Sequence, residues 1–529
     1  MDDFKATRKL TINLGLRYSQ DGPFSERFNR ISTFVAGAPN PLVANSALPA
    51  DGTVALVDTP LRPGRNGLNQ DDNQWGPRIG FAYEFANDTV FRGGYGVFWL
   101  PNSIAWFGTN PAVDPINLFN TNMTTSTNGG LTPTNYLSNP LPGTGVLPAP
   151  GRNPIYANEL IGQNLWNTQL PNQPYAYAQQ WNFDLQKTLP GGIFVDAAYA
   201  GSKGTHLPQI SVPISQLPNQ DESLGNGLLS LVSNPYYGIV QSGPLSGPTV
   251  QKGQLLTPYP QYDGVQPELW QGNSSYNALQ LKVQKRFSGG QTLLAAYTLS
   301  KFLTDSESLT SWLEAAGAGG FQNYYNMKAE KSLSSYDVPQ RLVVSYVLDL
   351  PVGYGKRYLS GATGPVSKVV SGWGLEGVTT AQRGFPIFIG DANNTTASFG
   401  GGQRPDYNSS ATGCSSGPAL SGSPSSRLNE WFNTACFAQP ATFTFGDVPR
   451  VEPNIRWDGL FNFDVAAVKN TAWGRDGRFH MQFRAEFFNF LNHPQFGPPG
   501  NTFGTPSFGV VSSQSNNPRL IQFALKFAF

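Results

Sequence analysis

Three histidines, two cysteines and one short acidic run are the side chains of this sequence best suited to chemistry. A hydrolytic centre would set a Ser or Cys beside a His that an acid or amide orients. His206 lies just past a candidate strand, His480 inside one and His493 directly before Pro494, and no motif unites them with a nucleophile. Ordinary structural histidines account for all three. The run Arg92-Gly93-Gly94-Tyr95-Gly96 is glycine-rich, but a phosphate cradle must follow a strand and open a helix. These glycines stand inside an alternating segment, where they permit bending and close ring packing in a sheet. Asp71-Asp72-Asn73 could touch a calcium ion, yet it lacks the Gly and the distant Glu of a calcium loop, and it reads as a solvated turn. No catalytic, cofactor-binding or metal-binding residue is expected, and no enzyme activity.

Cys414 and Cys436 share one Gly/Ser/Pro-rich stretch with no histidine close in sequence. A metal site would need more ligands nearby. In an exported chain the pair reads as a disulfide closing a loop of about twenty residues; two unpaired loop thiols are the alternative.

The elements that must hold these residues are extended. Charged residues are 13% of the 529 and aromatics another 13%, while Gly reaches 58 and Pro 43. Low charge argues against a disordered, solvating chain. Lys+Arg at 35 nearly cancels Asp+Glu at 34, so no basic field exists to hold nucleic acid. The longest apolar stretches, Leu342–Leu350 and Leu293–Leu299, fall well short of the roughly 18 residues of a spanning helix.

Strict alternation of apolar and polar residues marks a strand with one greasy and one wet face. Over Lys9–Ser19, Leu10, Ile12, Leu14, Leu16 and Tyr18 share one face, against Thr11, Asn13, Gly15, Arg17 and Ser19. Phe479, Met481, Phe483, Ala485 and Phe487 oppose His480, Gln482, Arg484 and Glu486, and the chain closes on Arg519, Ile521, Phe523, Leu525, Phe527 and Phe529 against Leu520, Gln522, Ala524, Lys526 and Ala528. Similar segments near 77–85, 89–99, 177–188, 192–201, 277–287, 291–302, 340–350, 372–383 and 459–469 bring the expectation to about 12 strands. A soluble sandwich also alternates, but its strands average about five or six residues, whereas a membrane strand needs roughly nine to eleven.

The connections decide between the two. Ala86-Asn87-Asp88, Pro190-Gly191-Gly192, Ser288-Gly289-Gly290 and Asn470–Gly477 are tight, with Pro351–Ser371 longer. They take turns with Gln20–Trp75, Leu100–Ala176, Ser202–Tyr276, Leu303–Pro339, Gly384–Trp457 and Asn492–Pro518. Short periplasmic turns alternating with long extracellular loops are the rhythm of an outer-membrane β-barrel. The expected fold is therefore all-β, a transmembrane antiparallel barrel in the cell outer membrane. Tyr18, Trp75, Tyr83, Trp99, Trp181, Tyr199, Tyr276, Tyr346, Trp373 and Trp457 are expected near strand ends, as interface girdles. An exported barrel needs an export signal, and Met1–Lys5 carries no apolar segment behind a basic start; the expectation is that the true beginning lies upstream.

Thr11–Tyr18, Trp75–Tyr83, Phe91–Phe98, Gln180–Leu185, Gly191–Leu207 and Arg484–Phe496 resemble the barrel of TonB-dependent receptors, above all the acidobacterial subgroup with a carboxypeptidase-regulatory-like N-terminal region. The resemblance implies a barrel of roughly 22 strands, a plug domain and a signal peptide, of which residues 1–529 would be the C-terminal barrel portion. It also implies loop capture of a ligand, and energy from an inner-membrane TonB complex acting through the plug.

Arg17, Asp184, Gln280, Lys282, Gln284, Arg484 and Glu486 are expected to line a wet lumen, where solvation and plug contact account for them without a ligand. The face formed by Phe523, Leu525, Phe527 and Phe529 looks like the signal read by the barrel-assembly machinery, which pairs a strand to its client's edge. The functional expectation is uptake of a large or scarce solute, an oligosaccharide, peptide or metal chelate. A passive porin and a structural or adhesive surface protein are the alternatives. The partners expected are outer-membrane lipid, the assembly machinery and, through the plug, the TonB complex. Nucleic acid is not among them.

Overall fold

In the computed structural model the chain forms one long antiparallel path of strands. The structure describes residues 2–23, 25–40, 51–101, 132–133, 136–139, 152, 160–240, 244–287, 290–306, 319–474 and 478–529. In order, the path runs through β1 (Asp2–Lys5), β2 (Leu10–Tyr18), β3 (Trp75–Ala86), β4 (Thr89–Trp99), β5 (Tyr177–Leu189), β6 (Ile193–Gln209), β7 (Gly264–Arg286), β8 (Thr292–Thr304), β9 (Gln340–Asp349), β10 (Trp373–Gln382), β11 (Leu460–Trp473), β12 (Phe479–Phe488) and β13 (Leu520–Ala528). β2 to β13 are the twelve strands read from the alternation. Asn164–Gln169 and Ser332–Leu333 join β7 and β8 off the path. Of the tight turns, Ser288 and Gly289 and residues 475–477 lie outside the described residues.

Along the path each strand follows its neighbour, so every pairing of β1 to β13 with the next is antiparallel, while Asn164–Gln169 pairs with β7 in parallel. Register then carries one parity across the whole sheet. Arg17 pairs with Gly76, Arg78 with Gly96, Arg92 with Asp184 and Asp184 with Ala198. Further along, Lys282 pairs with Asp196 and Ala296, Val347 with Glu376, Glu376 with Ala466, and Glu486 with both Ala466 and Gln522. All of these lie on one face. The opposite face carries Leu16, Ile79, Phe91, Phe183, Leu281, Leu293, Leu342, Leu375, Val465, Phe483 and Phe523. Among the described residues of β2 to β13, this second row holds no Asp, Glu or Arg. Its lysines, Lys187, Lys203, Lys285, Lys301 and Lys469, stand toward strand ends, where a long stem lets the ammonium reach the interface.

Leu16 is 67% exposed and Phe523 68%. In water, leaving a Leu or Phe exposed forgoes about 1.5–3 kcal/mol, so a whole row of them demands an apolar medium. Conversely, Arg450, Tyr175, Tyr236, Tyr262, Phe34, Phe321 and Phe432, among the largest fully buried side chains, all belong to the long segments at one end of the sheet. The strand region is apolar outside, and the conventional core has moved into the loops.

Two expectations, of strand extent and of the aromatic girdle, need correction, and the long segments carry cores of their own: Phe34, Leu56, Leu160, Val212, Tyr262 and Phe321, from four different segments, form one core. Ile389, Trp431, Phe432, Val448 and Ile455 form a second, on which Phe496, Phe503 and Phe508 from the segment before β13 pack. β6 and β7 also continue past the apolar alternation, Leu269 pairing with Gln209; beyond the bilayer a strand needs backbone partners but no greasy face, so polarity gave no signal. Finally, Tyr276 lies on the polar face in register with Ser202 and Phe302, and Trp457 packs on Phe385 beside the second loop core. Neither belongs to a lipid girdle.

The sheet ends on β1, which pairs with β2, and on β13, which pairs with β12. Among the described residues no pairing joins β1 to β13.

Candidate functional site

The polar face of the sheet and the folded loops above it are the two surfaces a solute could meet. On the polar face, small residues and charged residues alternate in clusters. Gly80, Gly94, Gly96 and Ala200 leave the wall low, and Asn13, Arg78, Phe98, Gln180, Asn182 and Tyr276 rise around them, bordering an open depression of about 510 Å³. The Phe98 ring lies over Gly96, where a Cβ would sit 2.9 Å from it, and the Arg78 guanidinium stacks on that ring at 4.7 Å. Glycine is needed at position 96 because the ring occupies the side-chain space.

A second depression, of about 310 Å³, opens over Val347, Val378 and Ala466. Arg484 spans it, donating from Nη2 to Glu376 at 2.8 Å and from Nε to Glu486 at 3.0 Å. Asp464 beside them accepts from the backbone N–H of Asn489 at 2.8 Å and from the Asn462 amide. On the same row of β5 and β6, Gln186 donates to Asp196, whose register partner is Lys282. Guanidinium, amide and aromatic surfaces alternate with carboxylates, so the wall offers hydrogen bonds and stacking in both charge signs.

A family model described as outer membrane beta barrel domain matches residues 1–522. The chain belongs to this family. Its two-faced sheet is accordingly the wall of an outer-membrane barrel, apolar row to lipid and polar row to lumen. A search of the curated proteins finds no match. Among solved structures, the barrel is similar to the outer membrane transporter YddB from Escherichia coli, with TM-score 0.39 and 9% identity over 87% of this chain and 41% of the other. It is also similar to the ferripyoverdine receptor of the outer membrane of Pseudomonas aeruginosa, with TM-score 0.39 and 8% identity over 99% and 37%. A third is the siderophore receptor PiuA from Acinetobacter baumannii, with TM-score 0.38 and 9% identity over 99% and 42%. The chain spans about two-fifths of the length of these structures.

Of the residues read as lumenal from sequence, Arg17, Asp184, Gln280, Lys282, Gln284, Arg484 and Glu486 all fall on the lumen row of the barrel. The fold brings Arg484 and Glu486 together, and it sets Asp184 and Lys282 around Asp196; Arg17 instead donates to Ser19 near the loop end. Glu376, Asp464, Asp196, Arg78 and Arg92 were not singled out, although continuing the polar parity along their strands would have found them. Arg450 and Arg404, with Glu330, had no such signal. Arg404 donates to both Glu330 oxygens, at 2.8 and 3.2 Å, and fully buried Arg450 donates to the carbonyls of Glu330, Thr304 and Ser306. Arg456 pairs with Asp337 at 2.6 Å. These bonds bolt Thr304, Ser306 and the 319–339 segment to the 383–459 side of the loop cap.

The remaining candidates take structural places. His206 meets the Tyr177 ring edge-on at 6.0 Å, His493 meets Phe461 at 5.9 Å, and His480 lies on the lumen row opposite Ala528. Asp71 accepts from the backbone N–H of Asn73, and Asp72 from Gln20 and Gln70. Cys414 and Cys436 are joined by a disulfide inside the second loop core, with Cα atoms 5.3 Å apart.

Proposed function

We propose that this barrel is the C-terminal wall of a TonB-dependent receptor that takes up a large or scarce solute, with energy relayed from an inner-membrane TonB complex through a plug. One observation carries the reading: a lumen row of paired charges and shallow cavities lies beneath a cap whose loops share hydrophobic cores. An adhesive surface protein has no use for a structured lumen. A general porin has no use for a cap built of buried ion pairs. Among the described residues the outer edges of β1 and β13 have no strand partner, and in lipid an unpaired strand edge costs several kcal/mol per unsatisfied group. The amide, guanidinium and aromatic lining suits an oligosaccharide, a peptide or a metal chelate. No catalytic step is assigned to it.

Disrupting the gene and supplying each solute class at limiting concentration tests the proposal. The expected result is lost growth on one class, restored by the gene, with uptake in the parent strain abolished by an uncoupler. Uptake that survives the uncoupler would make the barrel a porin. Uptake that survives the disruption would make it a surface protein of another kind.

In the same proposal, Phe523, Leu525, Phe527 and Phe529 present the closing strand to the barrel-assembly machinery. Removing Phe529 should lower the amount of barrel in the outer membrane, and unchanged yield would refute that role.

A further inference from the structure

Five of the six connections at the short-turn end of the sheet are tight, while the one between β9 and β10 spans 350–372 and folds a short helix, α1 (Gly364–Val370). Its surface is not what a water-facing turn should carry. Tyr354, Tyr358, Leu359, Val366 and Val369 are all more than half exposed. Between Leu350 and Gly372 the sequence holds Lys356, Arg357 and Lys368 and no acidic residue; Asp349, at the end of β9, pairs with Lys356 at 3.6 Å.

The connection is also held in place. Trp373 donates from its indole to the Val369 carbonyl at 2.8 Å, and Ser371 accepts from the backbone N–H of Tyr354 at 2.9 Å. Lys368 reaches the Ala472 carbonyl at 3.2 Å, tying α1 to the end of β11. Lys469 caps the Ser371 carbonyl at 2.6 Å and lies 5.4 Å over the Trp373 ring. The exposed residues therefore ride on an anchored platform, and Trp373 makes that platform continuous with the lipid-facing row of β10.

We propose that this connection is a membrane foot resting on the periplasmic phospholipid leaflet. Tyr354, Tyr358, Leu359, Val366 and Val369 enter the boundary between headgroups and acyl chains, while Lys356, Arg357 and Lys368 meet anionic headgroups. Two features single out this occupant: continuity with an apolar row already in lipid, and a net positive charge, Arg357 and Lys368 beyond the Lys356–Asp349 pair, that complements anionic lipid. Short turns face the periplasm in outer-membrane barrels, so phospholipid is the surface within reach. The inference goes beyond the proposed transport role and does not depend on it.

The test uses the full chain refolded into vesicles of phosphatidylcholine, with or without added phosphatidylglycerol. An environment-sensitive fluorophore is attached at Val366→Cys, at Val369→Cys in a second sample, and at Ser425→Cys in the exposed cap as reference. The expected result is blue-shifted emission at both foot positions, with several-fold stronger quenching by headgroup-labelled lipid than at position 425. Phosphatidylglycerol should strengthen that quenching, and Lys356→Gln/Arg357→Gln/Lys368→Gln should remove the gain. Emission and quenching at the foot equal to those at position 425 would overturn the proposal. So would a blue shift without lipid quenching, which would place a second copy of the chain there instead. A gain that survives loss of the three charges would overturn the headgroup contact.

Discussion

Trp181 and Gly201 are direct cross-strand partners on the lipid side of the wall, and the indole lies so close over the glycine that a Cβ has no room. The same arrangement recurs at Gly93, beneath Phe81 and Phe183, and at Gly377, beneath Tyr346. Glycine lets a ring lie flat along the sheet, filling the surface that the missing side chain leaves. Gly201→Ala should lift the indole and cost about 1–3 kcal/mol, the usual range for overpacking. Urea unfolding of the barrel in vesicles, followed by tryptophan emission, measures it.

The buried Arg404–Glu330 pair makes a sharper prediction for the cap. Removing one partner strands a charge, at a cost of about 3–5 kcal/mol. Glu330→Gln should therefore speed hydrogen exchange across 319–339 and 400–450 while leaving the strands protected. Glu330→Leu combined with Arg404→Met should cost less than either single change. If the double variant exchanges faster than both, the pair is not the bolt between the two sides.

Reducing the Cys414–Cys436 bond should loosen the second loop core by roughly 3 kcal/mol, the scale for a loop of this size. Limited proteolysis after mild reduction is the readout, with new cleavage expected between Tyr407 and Ile455 and none in β10 or β11. Intact loops after full reduction would show that Trp431, Phe432 and Phe437 suffice.

Glu222 gives the cap a pH dependence. Its two carboxyl oxygens are buried without a hydrogen-bond partner among the described residues, and burial, with Asp221 adding, pushes its carboxyl up to about 7. The folded cap thus favours the neutral acid. Its contribution is full below the ordinary carboxyl value, falls as pH rises toward about 7, and changes no further above that. Exchange in residues 219–229, corrected for the intrinsic rate, should accelerate between about pH 5 and about pH 8. Glu222→Gln should flatten the profile.

The wall was legible in sequence because lipid and lumen impose opposite demands on alternate residues, as Phe483 beside Arg484 and Leu281 beside Lys282 show. Strand ends agreed to within a few residues wherever the bilayer enforced that contrast. Outside it the contrast vanishes. Nothing in Gly264–Ser275 announces a strand, because its pairing with Asn164–Gln169 and then with β6 satisfies backbone groups above the membrane. The cap was illegible for a different reason: Arg404 and Glu330 are 74 residues apart, and Arg450 reaches Ser306 across 144. Contacts that distant leave no local period, and Pro, Gly, Asn and Ser in the same segments read as loop.

The central claim is that successive residues of one strand face lipid and lumen in turn. Spin labels placed singly at Phe483, Arg484, Ala485, Glu486 and Phe487, in the barrel reconstituted in vesicles, test it most directly. Accessibility to oxygen should peak at positions 483, 485 and 487, and accessibility to a water-soluble nickel chelate at 484 and 486. A flat profile, or oxygen peaks at 484 and 486, would contradict it.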